Sequence, residues 1–216
     1  TLEAGENFPR CAVIDSAAGY AYFGTETSPG RVVKIALGAG DAAPVRIGAV
    51  ILNSGENLLY SAVIDANNSY AYFGTLTIPG RIIKVALGGG INPPSRVGAV
   101  TLDTGENYPV SGIIDTASGY AYFGTFTSPG YVVKIDMGIG NAAPSRVGSV
   151  ALDTGENALW SAVINPSQGL GYFGTATAPG RVIQVDLGSG SANPTRLGAV
   201  TLNSGESNLY SAVADL

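Results

Sequence analysis

Histidine is absent from all 216 residues, and cysteine, methionine and tryptophan occur once each. Without histidine the chain lacks the usual general base, the usual partner of a catalytic serine and the commonest metal ligand. A single cysteine makes no internal disulfide, and with no histidine beside it supplies no ordinary zinc site. No metal centre and no cofactor are expected. Charge is also scarce: Asp, Glu, Lys and Arg are 12% of the chain, against about 25% in an average soluble protein. The net charge is −5 and no basic stripe exists, which excludes nucleic acid and anionic membranes as partners. No apolar run reaches the roughly 18 residues of a membrane-spanning helix.

What the chain has is repetition. Ser61-Ala62-Val63-Ile64-Asp65 returns 50 residues later as Ser111-Gly112-Ile113-Ile114-Asp115, and again as Ser161-Ala162-Val163-Ile164-Asn165. Tyr22-Phe23-Gly24-Thr25 returns at 72–75, 122–125 and 172–175. A fixed period of this size marks a propeller, solenoid or array. Cys11 occupies the slot of Ser61, Ser111, Ser161 and Ser211, so it reads as a small buried side chain rather than a reactive one.

One unit, 61–110, reads as four strands. Ser61–Asp65 is short and β-branched, and Ala66–Ser69 has turn chemistry. Tyr70–Thr75 is aromatic-rich, and Pro79-Gly80 turns the chain. Arg81–Leu87 is a third strand, Gly88–Pro94 a loop and Ser95–Leu102 a fourth strand. No helical period appears. Short turns between consecutive strands make an antiparallel meander, which repeated about an axis is a propeller blade. The expected fold is all-β, a β-propeller of four-stranded antiparallel blades. The first strand is apolar on both faces, as an innermost strand between neighbouring blades should be. Val63, Ile64, Ile83, Val85 and Leu87 are expected to bury fully.

The pattern Ala-Val-Ile-Asp, a turn, Gly19-Tyr20-Ala21-Tyr22-Phe23-Gly24-Thr25 and then Arg31-Val32-Val33-Lys34-Ile35 resembles the YVTN class of propeller repeat. The resemblance covers nearly the whole chain, with Phe-Gly-Thr standing where the family has Val-Thr-Asn. It implies a bacterial or archaeal protein that is secreted or on the cell surface, and so an extracellular, surface or periplasmic location.

Residues 1–216 are expected to form a single repeat domain. Inner strands fall at 11–15, 61–65, 111–115 and 161–165, and the first strand of a fifth blade at 211–215. Thr1 falls in mid-repeat. Four blades plus one strand point to part of a larger or shared propeller. The chain is then a segment of a longer ring, one of two chains completing a ring, or an open array.

Several motifs lose their chemistry when the units are compared. Asp-Thr-Gly at 103–105 and 153–155 resembles the paired aspartates of pepsin-like proteases, which must share a proton. The same slots elsewhere read Glu3-Ala4-Gly5, Asn53-Ser54-Gly55 and Asn203-Ser204-Gly205, so they are turns. Glu6, Glu56, Glu106, Glu156 and Glu206 recur near the expected channel end, where they either bind a cation or pair with the equally strict Arg46, Arg96, Arg146 and Arg196. Pairing is the favoured reading. Asp15, Asp65 and Asp115 read as local caps of the turns they begin.

The units differ in loops. The link before the inner strand and the turn before Pro-Gly belong to one face of the blade. Phe8, Leu58, Tyr60, Leu76, Tyr108, Phe126 and Trp160 are therefore candidate partner-binding residues on that face. Packing between blades is the competing role for the same side chains. The functional expectation is a non-enzymatic scaffold, extracellular or on the cell surface, that binds a protein partner or self-associates. A glycan-binding propeller is the alternative, and a lactonase or quinoprotein type of enzyme comes third.

Overall fold

The computed structural model describes residues 1–214, in which sixteen strands form four antiparallel sheets of four. Blade 1 comprises β1 (Pro9–Asp15), β2 (Tyr20–Thr25), β3 (Arg31–Ala36) and β4 (Val45–Ile51). Blade 2 comprises β5 (Leu59–Asp65), β6 (Tyr70–Thr75), β7 (Arg81–Ala86) and β8 (Ser95–Thr101). Blade 3 comprises β9 (Pro109–Asp115), β10 (Tyr120–Thr125), β11 (Tyr131–Asp136) and β12 (Ser145–Ala151). Blade 4 comprises β13 (Leu159–Asn165), β14 (Leu170–Thr175), β15 (Arg181–Asp186) and β16 (Thr195–Thr201). Strands pair in chain order within each sheet. β1 packs on β5, β5 on β9 and β9 on β13, so the first strands stand around an axis and the blades fan outward. One short 3-10 turn, Pro166–Gln168, departs from the all-strand expectation.

Blades cohere through a repeated apolar interface. Tyr22, Val32 and Leu52 of blade 1 meet Leu59, Phe73, Ile83, Val85 and Leu87 of blade 2. Tyr122, Val132 and Leu152 meet Leu159, Phe173, Ile183, Val185 and Leu187 in the same way. Each such side chain contributes about 1.5–3 kcal/mol on burial. The glycine of Phe-Gly-Thr is required by this approach: a Cβ on Gly74 would lie 2.5 Å from the Pro109 carbonyl oxygen of the next blade.

Of the five residues expected to bury fully, Val63, Ile83, Val85 and Leu87 do so. Ile64 is only half-buried, because it packs at the edge of the core between blades 1 and 2 and also lines the axial cavity.

Polar links repeat with the blades. Glu6, Glu56, Glu106 and Glu156 each pair with the arginine of the outermost strand of their own blade, as Glu6 does with Arg46, at Oε2–Nε 2.8 Å. The arginine beside Glu6, outweighing burial, holds its carboxyl below the ordinary glutamate range. Thr25 Oγ1 and Thr27 Oγ1 share a hydrogen bond of 2.6 Å, and Thr25 Oγ1 accepts from Arg31 N at 2.9 Å. This clasp holds the turn containing the cis Ser28–Pro29 bond.

The sequence reading did not single out the lysines. Lys34, Lys84 and Lys134 are fully buried. Lys84 Nζ donates to the carbonyls of Met137 at 2.9 Å, Gly138 at 2.7 Å and Gly140 at 2.7 Å, in the glycine-rich loop of the next blade. The Tyr70 ring centroid lies 4.2 Å from the same nitrogen, a cation–π contact. Burial lowers the pKa of Lys84 from the ordinary lysine value. Blade 4 carries Gln184 instead, and its Nε2 donates to Tyr172 OH at 3.2 Å.

Among the described residues, the two outer faces of the array have no neighbouring blade. Phe73, Phe123 and Phe173 are fully buried, whereas Phe23 of blade 1 is half-buried. Val200 of blade 4 is 55% exposed. Beyond β16 the chain repeats its usual lead-in, with Gly180 N donating to Glu206 O at 2.7 Å as Gly30 N does to Glu56 O at 2.9 Å. Residues 211–214 then line the axial cavity without forming a strand. Asp215, the end of the expected fifth strand, lies outside the described residues.

Candidate functional site

Burial alternates with period 2 along the inner strands, and every second residue is generally the more open one beside the axis. Three tiers result. Arg10, Tyr60, Val110 and Trp160 begin the series at one end, Ala12, Ala62, Gly112 and Ala162 follow, and Ile14, Ile64, Ile114 and Ile164 complete it. The first of these positions is a bulge: Leu59 pairs with Thr75 and Ser61 with Gly74, leaving Tyr60 as the extra residue. Arg10 and Trp160 are placed identically. A bulge re-aims a side chain, and here it sets a variable residue at the mouth of the axial cavity.

Aromatic rings meet across that mouth. The Trp160 centroid lies 6.1 Å from Tyr60, 5.4 Å from Phe126 and 5.7 Å from Tyr210, and Phe126 lies 6.4 Å from Tyr108. Tyr60, Tyr108, Phe126 and Trp160 are thus brought together, with Tyr210 added. Phe8, Leu58 and Leu76 sit on the same end, where Leu76 N donates to Leu58 O at 2.7 Å. Among the described residues, Phe8 makes no contact with this chain of rings and is 67% exposed. Phe8, Leu58 and Tyr108 share a left-handed backbone, with φ of 52°, 55° and 56°. The reason is architectural: Leu58 N donates to Thr27 O of the preceding blade while its carbonyl accepts from Leu76 N.

One charged constellation stands at this mouth. Arg10 Nε donates to Glu26 Oε2 at 2.5 Å, and Tyr60 OH donates to Glu26 Oε1 at 2.9 Å. Arg10 also lies over the Tyr60 ring, 5.6 Å from its centroid. Arg10, and after it Tyr60, hold the Glu26 carboxyl below the ordinary glutamate range. Glu26 is replaced by Leu76, Phe126 and Ala176 in the other units, and Arg10 by Tyr60, Val110, Trp160 and Tyr210. The repeat is broken here by an acid and a base together. Sequence comparison found both positions variable but missed the pair; the signal was charge appearing at two variable slots in the same unit.

Beneath the rim the cavity has two connected parts. The upper, about 370 Å³, is walled by Tyr60, Trp160, Tyr210 and small residues. The lower, about 360 Å³, is walled by Val63, Ile64, Ile113, Ile114, Val163 and Ile164 among others. Gly112, Ala162 and Ala212 belong to both. At the opposite end a cleft of about 280 Å³ between blades 2 and 3 contains Asp65 and Asp136. Asp65 accepts from Asn68 N and Nδ2, and Asp136 from Gly138 N, so both act as turn caps. Asp103 and Asp153 stand in turns of separate blades, each 3.2 Å from an arginine, Arg146 and Arg196 respectively. They do not form a shared acid pair.

No family model and no curated protein matches the sequence. Solved structures do match. One is a candidate 6-phosphogluconolactonase from Bacteroides uniformis, with TM-score 0.72 and 12% identity over 91% of this chain and 55% of that one. Another is the periplasmic gluconolactonase of Pseudomonas aeruginosa, with TM-score 0.70 and 12% identity over 91% and 58%. A third is Sqt1 of Saccharomyces cerevisiae, with TM-score 0.62 and 10% identity over 93% and 50%. This chain has the fold of a multi-blade β-propeller. It spans somewhat more than half the length of the lactonases it matches.

These neighbours correct two expectations, that the chain is no enzyme and that it is a non-enzymatic scaffold. Propellers of this shape include lactonases. Near-uniform units and missing histidine were the grounds for those expectations. The Arg10–Glu26–Tyr60 constellation removes the first, and a carboxylate can stand in for the second as a base. No helix among the described residues is long and apolar enough to cross a membrane.

Proposed function

We propose that this propeller is a lactonase-type hydrolase whose site is the aromatic mouth of the axial cavity. The observation that carries the reading is the Glu26 carboxylate held between Arg10 and Tyr60, an acid and a base brought together from two slots that are uncharged in every other unit. Glu26, ionised at neutral pH, takes a proton from a water molecule that attacks the lactone carbonyl carbon. The oxygen that becomes negative is steadied by the Arg10 guanidinium. Collapse of the tetrahedral adduct breaks the ring C–O bond. The proton passes from Glu26 to the leaving alkoxide, and a hydroxy acid departs. Trp160, Tyr60 and Phe126 hold the ring of the substrate against their faces.

The four blades belong, in the same proposal, to a larger or shared ring. The half-exposed outer faces of blades 1 and 4 and the span relative to the neighbours support this. Kinship with the YVTN-type repeat rests on the Tyr-Phe-Gly-Thr motif and its flanks. A periplasmic or extracellular location follows from that kinship, and one neighbour is periplasmic.

The test is hydrolysis of δ-gluconolactone followed by acid release. Wild-type protein accelerates it, and Glu26→Gln reduces the rate by about 100-fold or more without changing the thermal midpoint. Equal rates for wild type and Glu26→Gln, or no rate above the uncatalysed one, remove the reading.

A further inference from the structure

We propose that the lower axial cavity is an alkyl-chain site, so that the preferred ligand is an amphiphile with its polar head at the rim and its tail along the axis. As a statement about substrate, a lactone bearing an apolar tail, this rests on the lactonase reading; as a binding site it stands by itself.

The walls argue for it. Below the Ala–Gly waist the cavity is lined by valine, isoleucine and alanine with Gly112, and neither part is lined by a charged side chain. Two serines of the upper part are committed elsewhere: Ser61 Oγ donates to Pro109 O at 2.8 Å and Ser111 Oγ to Leu159 O at 2.7 Å. A phosphate or polyol in the lower part would shed water and meet no donor to replace it. An alkyl chain loses nothing there and covers apolar surface that the fold leaves open. The half-buried Ile64 and Ile114 show that this surface is open. A volume of about 360 Å³ lies within the ordinary range of small-ligand sites. The rim supplies the opposite chemistry, with Arg10, Glu26 and the Tyr60 hydroxyl grouped at one side of the mouth.

Polarity therefore runs along the axis: charge and hydroxyl at the rim, small residues at the waist, isoleucine below. That order fits a molecule with one polar end and one apolar end. A uniformly hydroxylated sugar lactone finds partners only at the rim and is therefore the more weakly held of the two.

Trp160 is the sole tryptophan and stands at the mouth, so its fluorescence reports occupancy. The 216-residue chain is titrated with 1-decanol, δ-decalactone and δ-hexalactone, each below its solubility limit. The expected result is a saturable change with decanol and δ-decalactone. The dissociation constant should fall at least tenfold from the six-carbon to the ten-carbon lactone. Ile114→Ser weakens decanol binding, and Ala162→Leu, which narrows the waist, weakens it independently should the first variant fold poorly. No saturable response to decanol while δ-gluconolactone is hydrolysed overturns the alkyl site and leaves the lactonase reading intact. Decanol binding that both variants weaken, with no lactone opened, supports the alkyl site and removes the lactonase reading. Binding untouched by either folded variant places the chain elsewhere and overturns the proposal.

Discussion

The Glu156 carboxylate accepts two hydrogen bonds from the Arg196 guanidinium, from Nε at 2.7 Å and from Nη2 at 2.6 Å. Glu156 is 1% exposed, and its second contact is with Asp153 N at 3.0 Å. The pair thus ties the lead-in of blade 4 to its outermost strand. Arg196, against the opposing pull of burial, depresses the pKa of this carboxyl. A depressed folded-state pKa adds stability that is present above the unfolded value and lost as pH falls through the folded one. Glu6 behaves alike. Stability should therefore be flat from neutral pH down to the ordinary glutamate range, then fall progressively below it. Urea unfolding at stepped pH measures this. Arg196→Met should cost about 3 kcal/mol at pH 7, toward the low end for a broken buried pair because the guanidinium still reaches water. A slope of stability against pH unchanged by Arg196→Met contradicts the account.

Lys84 gives a prediction of a different kind. Its charge is buried, yet four carbonyls of the adjacent loop accept from it, the fourth being Ala142 O at 3.2 Å. Lys84→Met would keep the apolar stem and leave those carbonyls without their donor. Unpaired buried acceptors and the lost charge-assisted bonds should destabilise by roughly 3 kcal/mol. Lys84→Gln, copying blade 4, should cost less, since an amide still donates. The ranking of urea midpoints, wild type above Gln above Met, is the readout. A Met variant as stable as wild type means the cage is not formed in solution.

The blade was readable because its signals are local and repeated four times. Tyr70–Thr75 matches its expected bounds, since β-branched and aromatic runs between turn residues state both ends of a strand. The Glu–Arg pairs were readable because two charges recurring in step in a charge-poor chain have few other partners. Lys84 was missed for the opposite reason: in Arg-Ile-Ile-Lys-Val a lysine reads as the polar face of an edge strand. Only the neighbouring blade shows that its tip lands on carbonyls. The aromatic mouth was half legible. Tyr60 and Trp160 were identified as variable loop-side residues, but their meeting across the axis depends on a bulge, and a bulge leaves no mark in composition. Ile64 was assigned to the core because alternation identifies two faces without saying that one of them borders a cavity.

Phe23 and Phe123 occupy the same slot in different surroundings. Phe123 is sealed between blades 2 and 3, whereas Phe23 has no blade on its far side. Phe123→Ala should cost about 3–5 kcal/mol, and Phe23→Ala markedly less in a monomer. Light scattering alongside the denaturation series tests the larger or shared ring. If Phe23→Ala costs as much as Phe123→Ala and the mass exceeds one chain, another surface covers blade 1. Equal cost in a strictly monomeric protein contradicts the open face itself.

The Arg10–Glu26 contact fixes the direction of a pH–rate profile. A base must be deprotonated to act, so hydrolysis should decline only as pH falls through a Glu26 pKa held below the ordinary range by Arg10. Arg10→Met removes that hold. The acid limb should then move to higher pH, toward the ordinary glutamate value of about 4.3, while the plateau rate drops because the oxyanion loses its cation. Tyr60→Phe removes only the second hydrogen bond and should move the limb in the same direction by a smaller amount. The initial rate of δ-gluconolactone opening from pH 3 to 6, corrected for the uncatalysed reaction, separates the three proteins. An acid limb that stays in place in Arg10→Met means the titrating group is not Glu26. The carboxylate assignment at the mouth would then be withdrawn even if the protein proves to be a lactonase.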